Sequence, residues 1–325
     1  MSEALRIGVI GLGMMGRNHV RVAGEVDGVE LVGVADPMGD RFGVAGAAPV
    51  FSTPEELLSH GIDMAVVAAP TGDHERLGLM LARAGVHTMI EKPLAVTTEA
   101  ARAVATAFEA EGLVGCVGHI ERYNPALQQA KARIRNGQIG EIIQITTRRI
   151  GPFPARIQDV GVVKDLATHD LDLTAWLAES PYATVSAQCA HKTGRDHEDL
   201  VAITGRLENG IVTNHLVNWL SPVKERLTMI TGTVGAFAAD TLSGDLTFFA
   251  NAEVPTEWSQ LSVLRGVAEG DQVRYAYPKR EPLRVEHEAF RDAVLGVGSE
   301  VVTMAEGTRV VEVAEQVLAS AHGQA

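Results

Sequence analysis

The hydrophobic positions of the chain follow two different patterns, and the change falls near residue 120. Before it, short runs rich in Val and Ile are separated by longer segments rich in Ala, Leu and Glu. Apolar runs without polar alternation are typical of parallel strands that helices cover on both faces. We therefore predict strands at residues 5–11, 29–35, 64–69, 87–91 and 113–118, and helices at 74–85 and 97–112.

After residue 120 the pattern becomes one of short strands joined by turns. One strand and one helix come first, at 141–150 and 165–179. Asn209-Gly210 is a two-residue hairpin signal. The further elements predicted are strands at 183–191, 199–207, 210–220, 226–233, 235–240 and 246–250, and closing helices at 286–296 and 304–321. The predicted fold class is α/β, with a second half of α+β type built on a large, mostly antiparallel open sheet.

The composition argues against several classes of protein. Hydrophobic residues make up 46% of the 325 positions, which is enough for a buried core and disfavours intrinsic disorder. Because 28 Lys and Arg face 41 Asp and Glu, the net charge is −13, and we expect neither nucleic acid nor a membrane surface as a partner. No apolar stretch approaches a membrane span and no leader is evident, so a cytoplasmic protein is predicted.

A glycine-rich turn follows the first predicted strand and opens a helix, as a dinucleotide-binding turn requires. In that motif Gly11 makes the tight turn, Gly13 lets the backbone approach a pyrophosphate, and Gly16 permits close contact between helix and strand. Met14 and Met15 lie within the turn, and we interpret them as cofactor-site residues that pack beneath the turn as ordinary apolar contacts. The motif predicts that residues 1–120 form a Rossmann domain and that residues 121–325 form the substrate and oligomerisation domain, with packing of the terminal helices back on the first domain left open.

Asp36 ends the second predicted strand, 20 residues after Gly16, where an acidic side chain can accept hydrogen bonds from both adenosine ribose hydroxyls. A carboxylate there repels a 2′-phosphate, so NAD is favoured over NADP as the cofactor. Arg41 lies close enough in sequence to leave NADP use open. The alternative interpretation of Asp36 is a turn residue before Pro37.

Further motifs occur at fixed places along the predicted elements: AAPTGDH at 68–74, AGVHTMIEKPLA at 84–95 with Glu91-Lys92-Pro93 inside it, and Asp165, His169 and Asp172 in a predicted helix. With these motifs in this order, the chain resembles the glucose-fructose oxidoreductase and inositol dehydrogenase (Gfo/Idh/MocA) family of NAD(P)-dependent sugar dehydrogenases. The similarity runs from the first strand to the last helix.

Two stretches, 117–127 and 150–173, are similar to those of UDP-N-acetylglucosamine 3-dehydrogenases within that family. Tyr123 replaces the Phe expected there, and Lys164 stands where an apolar residue is usual, so the substrate stays open. The resemblance implies an enzyme that oxidises a ring hydroxyl of a nucleotide sugar, with the C3 hydroxyl as the first candidate. The alternatives are a dehydrogenase of a free sugar, inositol or sugar phosphate, and, from another class, a non-catalytic NAD-binding regulatory protein.

Oxidation of a secondary alcohol needs a base for the hydroxyl proton and a positive group that stabilises the developing alkoxide. Asp165 and His169 are four residues apart in a predicted helix, so they share a face, and His169 is the predicted general base. The resemblance implies that Lys92 is the catalytic lysine. The alternatives are a solvated loop lysine and a histidine on a helix surface.

Other residues are predicted to line the two ligands. Thr71 and His74 follow the strand 64–69 at its carboxyl end, where parallel sheets place ligands, and Glu91 joins them as a cofactor contact. The alternative for His74 is a position in the first turn of a helix capped by Asp73.

For the substrate, the resemblance implies that Asn124 holds sugar or phosphate oxygens, while Arg122 could pair with a diphosphate beside Tyr123. Asp172 could contact sugar hydroxyls, or be an acid on a helix surface. A local basic stretch in an otherwise acidic chain suits a nucleotide diphosphate, although solvated or ion-paired side chains explain it equally well: Arg148, Arg149, Arg156 and Lys164.

The charged segment 191–199 contains residue types that can bind metals, but its spacing fits no zinc motif, and we interpret it as a solvent-facing loop without a metal. A large one-sided sheet must cover its apolar face, which predicts a homodimer or homotetramer.

Overall fold

The computed structural model describes residues 4–153, 160–251, 269–298 and 300–322. The chain divides into two compact units. The first comprises Met1–Ile120 with Glu281–Glu315, and the second comprises Glu121–Arg280 with Gln316–Ala325. The C-terminal segment Glu281–Glu315 thus clusters with the first unit, which is the alternative left open for the terminal helices.

The first unit is built on six parallel strands in the order β3-β2-β1-β4-β5-β6. This order is that of a Rossmann sheet, in which the direction of strand addition reverses between β1 and β4. The strands are β1 (Leu5–Ile10), β2 (Val29–Ala35), β3 (Val50–Phe51), β4 (Met64–Val67), β5 (His87–Glu91) and β6 (Gly115–Gly118). The carboxyl ends of β1 and β4 therefore form the crevice where such sheets bind ligands.

Four helices connect these strands: α1 (Met14–Ala23), α2 (Pro54–Ser59), α3 (His74–Arg83) and α4 (Thr98–Ala110). The side chains of Val9, Val34 and Val66 at the middle of the sheet are fully buried. Runs of β-branched residues without polar alternation form these central strands because both sheet faces are covered. The parallel-sheet prediction for this part of the chain is confirmed.

The second unit is built on an eight-stranded sheet in the order β14-β13-β12-β11-β7-β10-β9-β8. All neighbouring pairs are antiparallel except β10 with β7. The strands are β7 (Ile142–Pro152), β8 (Tyr182–Ala190), β9 (Leu200–Leu207), β10 (Val212–Asn218), β11 (Leu220–Gly232), β12 (Gly235–Asp240), β13 (Asp245–Asn251) and β14 (Glu269–Arg274). The predicted fold class, a Rossmann domain followed by an α+β domain, is confirmed.

Helices α5 (Pro125–Arg135) and α6 (Thr168–Ala178) supply apolar side chains to the core of the second unit. Leu127 and Leu173 are fully buried there with Phe237 of β12. Helix α5 was not predicted, although Asn124 caps it and Pro125 occupies its first turn, which is a recognisable start signal. The predicted helix 165–179 is in fact a π-helical turn, Val163–Ala167, that continues into α6.

Two helices close the chain, α7 (Pro282–Val294) and α8 (Met304–His322). Phe290 of α7 is fully buried in the same cluster as Val9 and Val34 of the first unit. Among the described residues, no helix is both long enough and apolar enough to cross a membrane.

Candidate active site

The glycine turn after β1 uses its three glycines for different reasons. Gly11 has φ +91°, and a Cβ on it would lie 2.7 Å from the carbonyl oxygen of Ala68. A Cβ on Gly16 would lie 1.8 Å from the carbonyl oxygen of Gly11. By contrast, a Cβ on Gly13 would meet no protein atom within 4 Å, although Gly13 caps α1. The open space at the start of a helix fits the pyrophosphate of NAD.

Asp36 fixes the glycine turn from the end of β2. Its Oδ2 accepts a hydrogen bond from the Leu12 amide at 2.8 Å, and its Oδ1 accepts one from the Met38 amide at 2.8 Å. Each carboxylate oxygen has two lone pairs, so each retains one for a ribose hydroxyl. Asp36 is therefore a turn residue and also fits the predicted role toward NAD.

The two methionines of the turn differ. Met15 packs with Val22 and Leu283, as an apolar contact within the first unit. Met14 is 48% exposed, so the interpretation that it packs beneath the turn is wrong.

Lys92 lies on a short turn after β5 that buried groups hold in place. The Glu91 carboxylate accepts a hydrogen bond from the Lys92 amide at 3.1 Å and contacts His19 Nε2 at 2.8 Å. Burial by itself raises the pKa of Glu91, but the hydrogen bond and charge of His19, together with the charge of Lys92, lower this pKa below its usual value. Glu91 is thus an ionised carboxylate inside the protein, and the side chain of Lys92 is half-buried.

His74 holds the other side of the same turn. Its Nδ1 lies 2.9 Å from the Pro93 carbonyl oxygen and its Nε2 lies 3.0 Å from the Ala69 carbonyl oxygen. The ring is 1% exposed, so its nitrogens serve the loops after β4 and β5 rather than a ligand. Because both ring nitrogens are engaged, contact between the ring carbons of His74 and the cofactor stays a prediction. Thr71, half-buried in the turn before α3, stays a predicted cofactor contact.

Asp165 and His169 lie on either side of the junction between the π-helical turn and α6. Both side chains are half-buried, so His169 is not a fully exposed surface histidine. The turn is wider than an α-helical one, which changes the direction of Asp165 relative to the residue four positions later. Single π-helical turns occur often at functional sites, and this one coincides with the predicted catalytic pair.

The start of that π-helical turn is anchored by Glu198. Its Oε1 accepts a hydrogen bond from the Val163 amide at 2.9 Å, and a Cβ on Gly161 would lie only 2.0 Å from the same oxygen. Asp199 is 0% exposed and accepts hydrogen bonds from the Lys192 and Thr193 amides. The interpretation of 191–199 as a solvent-facing loop is therefore wrong for these two acids.

A buried ion-pair network supports α6 from the sheet. Arg149 contacts Asp170 at 2.9 Å and Glu121 at 2.8 Å, and Glu121 also contacts Arg226 at 3.3 Å. Burial raises the pKa of Glu121, but the neighbouring arginine charges lower it below its usual value. Of the two interpretations left open for Arg149, the structure shows the ion-paired one, although its partners could not be named from the sequence.

The predicted basic stretch is not one surface. Arg149 is 3% exposed, whereas Arg148, the next residue along β7, is exposed and contacts Glu225 at 3.4 Å. Consecutive strand residues point to opposite faces of a sheet. Lys164 is half-buried in the π-helical turn, and Arg156 lies outside the described residues.

The predicted substrate residues Arg122 and Asp172 bind each other. The Arg122 guanidinium donates to both Asp172 oxygens at 2.8 and 2.6 Å, and Asp172 is 1% exposed. Asp172 is therefore not an acid on a helix surface. Asn124 caps α5 and donates to the Thr241 carbonyl at 3.0 Å, and Tyr123 is buried beside it.

No group of three His, Cys, Asp or Glu side chains that could hold a metal ion occurs among residues 4–153, 160–251, 269–298 and 300–322. The polar groups described above are arranged for hydrogen bonding and ion pairing.

Comparison with known protein families gives two adjoining matches. The model described as an oxidoreductase family with an NAD-binding Rossmann fold matches residues 5–119, and that of the GFO/IDH/MocA C-terminal domain matches residues 127–238. The first match agrees with NAD as the predicted cofactor.

Individual relatives are similar along much of the chain. A UDP-N-acetylglucosamine 3-dehydrogenase of Acidithiobacillus ferrooxidans is 32% identical over 65% of this chain and 66% of its own length. Inositol 2-dehydrogenase 2 of Saccharopolyspora erythraea is 31% identical over 65% of each chain. These aligned regions span just under two thirds of both relatives.

A solved structure extends the similarity to nearly the whole chain. The structure of a UDP-N-acetylglucosamine 3-dehydrogenase from Acidithiobacillus ferrooxidans has a TM-score of 0.87 and 27% identity. The match covers 98% of this chain and 98% of that one.

Proposed function

Since this chain belongs to the Gfo/Idh/MocA family of NAD-binding oxidoreductases, we propose that it oxidises the C3 hydroxyl of a nucleotide sugar such as UDP-N-acetylglucosamine. The observation that carries this proposal is the agreement of sequence and fold. A 3-dehydrogenase of this substrate is 32% identical over part of the chain, and a solved structure of that name matches 98% of it. The proposed product is the 3-keto sugar nucleotide.

The residues of the chain divide the chemistry between them. Lys92, on its anchored turn, donates a hydrogen bond to the reacting oxygen and stabilises the negative charge that develops there. His169 accepts the hydroxyl proton as the general base, and Asp165 orients the imidazole or raises its proton affinity. Gly13 and Asp36 would hold NAD, which when bound would supply the acceptor for the hydride from the carbon that carries the reacting hydroxyl.

Substrate recognition is proposed for charged and polar side chains between residues 122 and 172. Lys164 and Arg156 provide positive charge for the diphosphate, and Asn124 contacts sugar or phosphate oxygens. Arg122 is the proposed partner of the diphosphate, and its bonds to both Asp172 oxygens fix the orientation of its guanidinium. In this arrangement Asp172 orients Arg122, and its proposed contact with sugar hydroxyls is indirect.

A second candidate function is oxidation of an inositol or a free sugar. The similarity to inositol 2-dehydrogenase 2 of Saccharopolyspora erythraea, at 31% identity, favours it. An uncharged polyol needs no diphosphate contact, so this candidate leaves the charge of Lys164 without a role. The same Lys92, Asp165 and His169 would act in both reactions.

The test is NADH formation at 340 nm with NAD and a panel of UDP-sugars, free sugars and inositols. We expect turnover with UDP-N-acetylglucosamine, and a loss of at least ~100-fold in kcat for His169→Ala with NAD binding unchanged. Turnover restricted to inositols would move the proposal to the second candidate. Unchanged kcat in His169→Ala would remove this residue from the role of base.

A further inference from the structure

A chain of three buried ionisable side chains crosses the first unit and ends at the backbone of Lys92. His19 of α1 is 0% exposed, His287 of α7 is 3% exposed and Glu91 of β5 is 7% exposed. His19 Nδ1 lies 2.8 Å from His287 Nε2, and His19 Nε2 lies 2.8 Å from Glu91 Oε1. Both ring nitrogens of His19 are thus engaged, so the orientation of its ring is fixed from two sides.

The protonation states agree with this geometry. Glu91 is ionised and can only accept, so His19 Nε2 carries the hydrogen that it donates to Glu91 Oε1. Burial, with the nearby His19, holds the pKa of His287 well below its usual value, so His287 is neutral at neutral pH. One proton therefore lies between the two facing ring nitrogens, on either His19 or His287.

The Glu91 carboxylate has little room to move. A Cβ on Gly118, the residue paired with Glu91 across β5 and β6, would lie 3.2 Å from Glu91 Cδ. The carboxylate therefore lies directly over a glycine, on one side, and against His19 on the other. Its second oxygen accepts the Lys92 amide hydrogen bond at 3.1 Å. The position of His19 thereby determines where the Lys92 amide lies.

His74 fixes the carbonyl group of Pro93, the residue after Lys92 in the same turn. The Pro93 oxygen lies 2.9 Å from His74 Nδ1, so the backbone is held both before and after the Lys92 Cα atom. A lysine side chain has several rotatable bonds, and its ammonium group can be placed reproducibly only if the Cα atom that carries it is fixed.

We propose that His19 is a positioning residue, which acts through Glu91 to set the backbone of Lys92, and that His287 orients the His19 ring for this purpose. The inference rests on the proposed function of Lys92 as the residue that stabilises the alkoxide. It assigns no contact of His19 with substrate or cofactor.

Two variants of His19 separate this role from simple packing. In His19→Gln the side-chain amide nitrogen takes the place of His19 Nε2, so a hydrogen-bond donor to Glu91 is kept. In His19→Asn the amide takes the place of Nδ1, so the contact with His287 stays and the bond to Glu91 is lost. Both variants place a neutral amide in the same buried site, and so they form a matched pair.

We expect kcat for NAD reduction by UDP-N-acetylglucosamine to fall by at least ~30-fold in His19→Asn and by less than ~5-fold in His19→Gln, with unchanged NADH affinity in both. Equal losses in the two variants, or a loss confined to NADH binding, would overturn the proposal. Gly118→Ala crowds the Glu91 carboxylate and is expected to lower kcat as His19→Asn does. If His19→Asn does not fold, the kcat of Gly118→Ala is the deciding measurement.

A second readout needs no substrate. The rate at which acetic anhydride acetylates Lys92 at several pH values, measured by mass spectrometry, reports the environment of its amine. His19→Asn should shift this profile relative to the exposed Lys224, whereas His19→Gln should not; identical profiles contradict the proposal. If Lys92→Ala retains full turnover, the proposed role of Lys92 fails, and the acetylation profiles still decide whether His19 positions it.

Discussion

At the residue scale, the glycines after β1 separate a folding role from a binding role. Gly16 has no room for a side chain beside the Gly11 carbonyl, whereas Gly13 faces open space. We therefore expect Gly13→Ala to leave the thermal midpoint within about 2 °C of wild type. The same methyl group occupies the space proposed for the pyrophosphate, so it should weaken NADH binding at least ~10-fold, or about 1.4 kcal/mol.

The matched variant is Gly16→Ala, in which the methyl group collides with the backbone. A steric conflict of this kind costs roughly 2 kcal/mol or more and should lower the thermal midpoint by several degrees. Calorimetry and NADH fluorescence titration on both variants provide the comparison. Wild-type NADH affinity in Gly13→Ala would show that the cofactor does not approach this residue.

The spacing of Gly11, Gly16 and Asp36 predicts a dinucleotide turn from sequence alone. In the structure Gly11 lies against the Ala68 backbone and Asp36 accepts from the Leu12 amide, while their contacts with the cofactor stay predictions. His19 and Glu198 were missed, because their partners lie 72 and 35 residues away. A signal for His19 did exist, since it continues the apolar stripe formed by Met15 and Val22 on one face of α1.

At the element scale, hydrophobic pattern located the strands well. β2 and β5 begin and end at the predicted residues. An apolar run of that length fits in a single register into a parallel sheet that helices cover on both faces. The predicted strand 210–220 is divided at Trp219 between β10 and β11. Pattern alone does not show this division, since apolar residues continue through it.

The π-helical turn could not be predicted from periodicity. Its apolar spacing is compatible with an α-helix, and the extra residue per turn is set by tertiary contacts. Those contacts are visible in the structure, where Glu198 binds the Val163 amide and the Asp165 amide donates to the Gly161 carbonyl at 3.1 Å. The local geometry at the predicted catalytic pair thus depends on a loop 30 residues farther along the chain.

The interior of the eight-stranded sheet gives a prediction on pH dependence. His215 of β10 is 0% exposed and contacts Thr147 and Tyr182, each at 2.8 Å. Burial lowers the pKa of His215 from 6.5 to about 3. Between these values the unfolded chain binds a proton that the folded one does not, so the free energy of unfolding decreases as pH falls below 6.5.

The expected slope from this group is at most about 1.4 kcal/mol per pH unit. All three tryptophans lie within residues 121–280, so their fluorescence follows urea unfolding of the second unit. Between pH 6.5 and 5.0 we expect the free energy of unfolding of His215→Gln to depend less steeply on pH than that of wild type. The difference should equal the contribution of about one proton. The control is His287→Gln, whose histidine belongs to the first unit. Equal slopes in wild type and His215→Gln would show that His215 is protonated in the folded protein.

At the scale of the whole molecule, the change of hydrophobic pattern near residue 120 separates the two sheets, but it does not decide to which unit the terminal helices belong. Segment Glu281–Glu315 belongs with the first unit, where Arg291 donates to the Asp27 carbonyl at 2.8 Å. That contact spans 264 residues and leaves no local pattern. The same limit applies to Arg149. It is buried because it pairs with Glu121 and Asp170, and these carboxylates come from distant segments of the chain.

The central claim is oxidation of UDP-N-acetylglucosamine at C3 with NAD, and isotope transfer tests it most directly. The purified chain would be incubated with NAD and UDP-N-acetylglucosamine deuterated at C3, and the reduced cofactor analysed by mass spectrometry. The account predicts that the cofactor carries the deuterium, and that Lys92→Ala and His169→Ala form it at least ~100-fold more slowly. Reduced cofactor without deuterium, or no reduction by this sugar nucleotide, would contradict the claim.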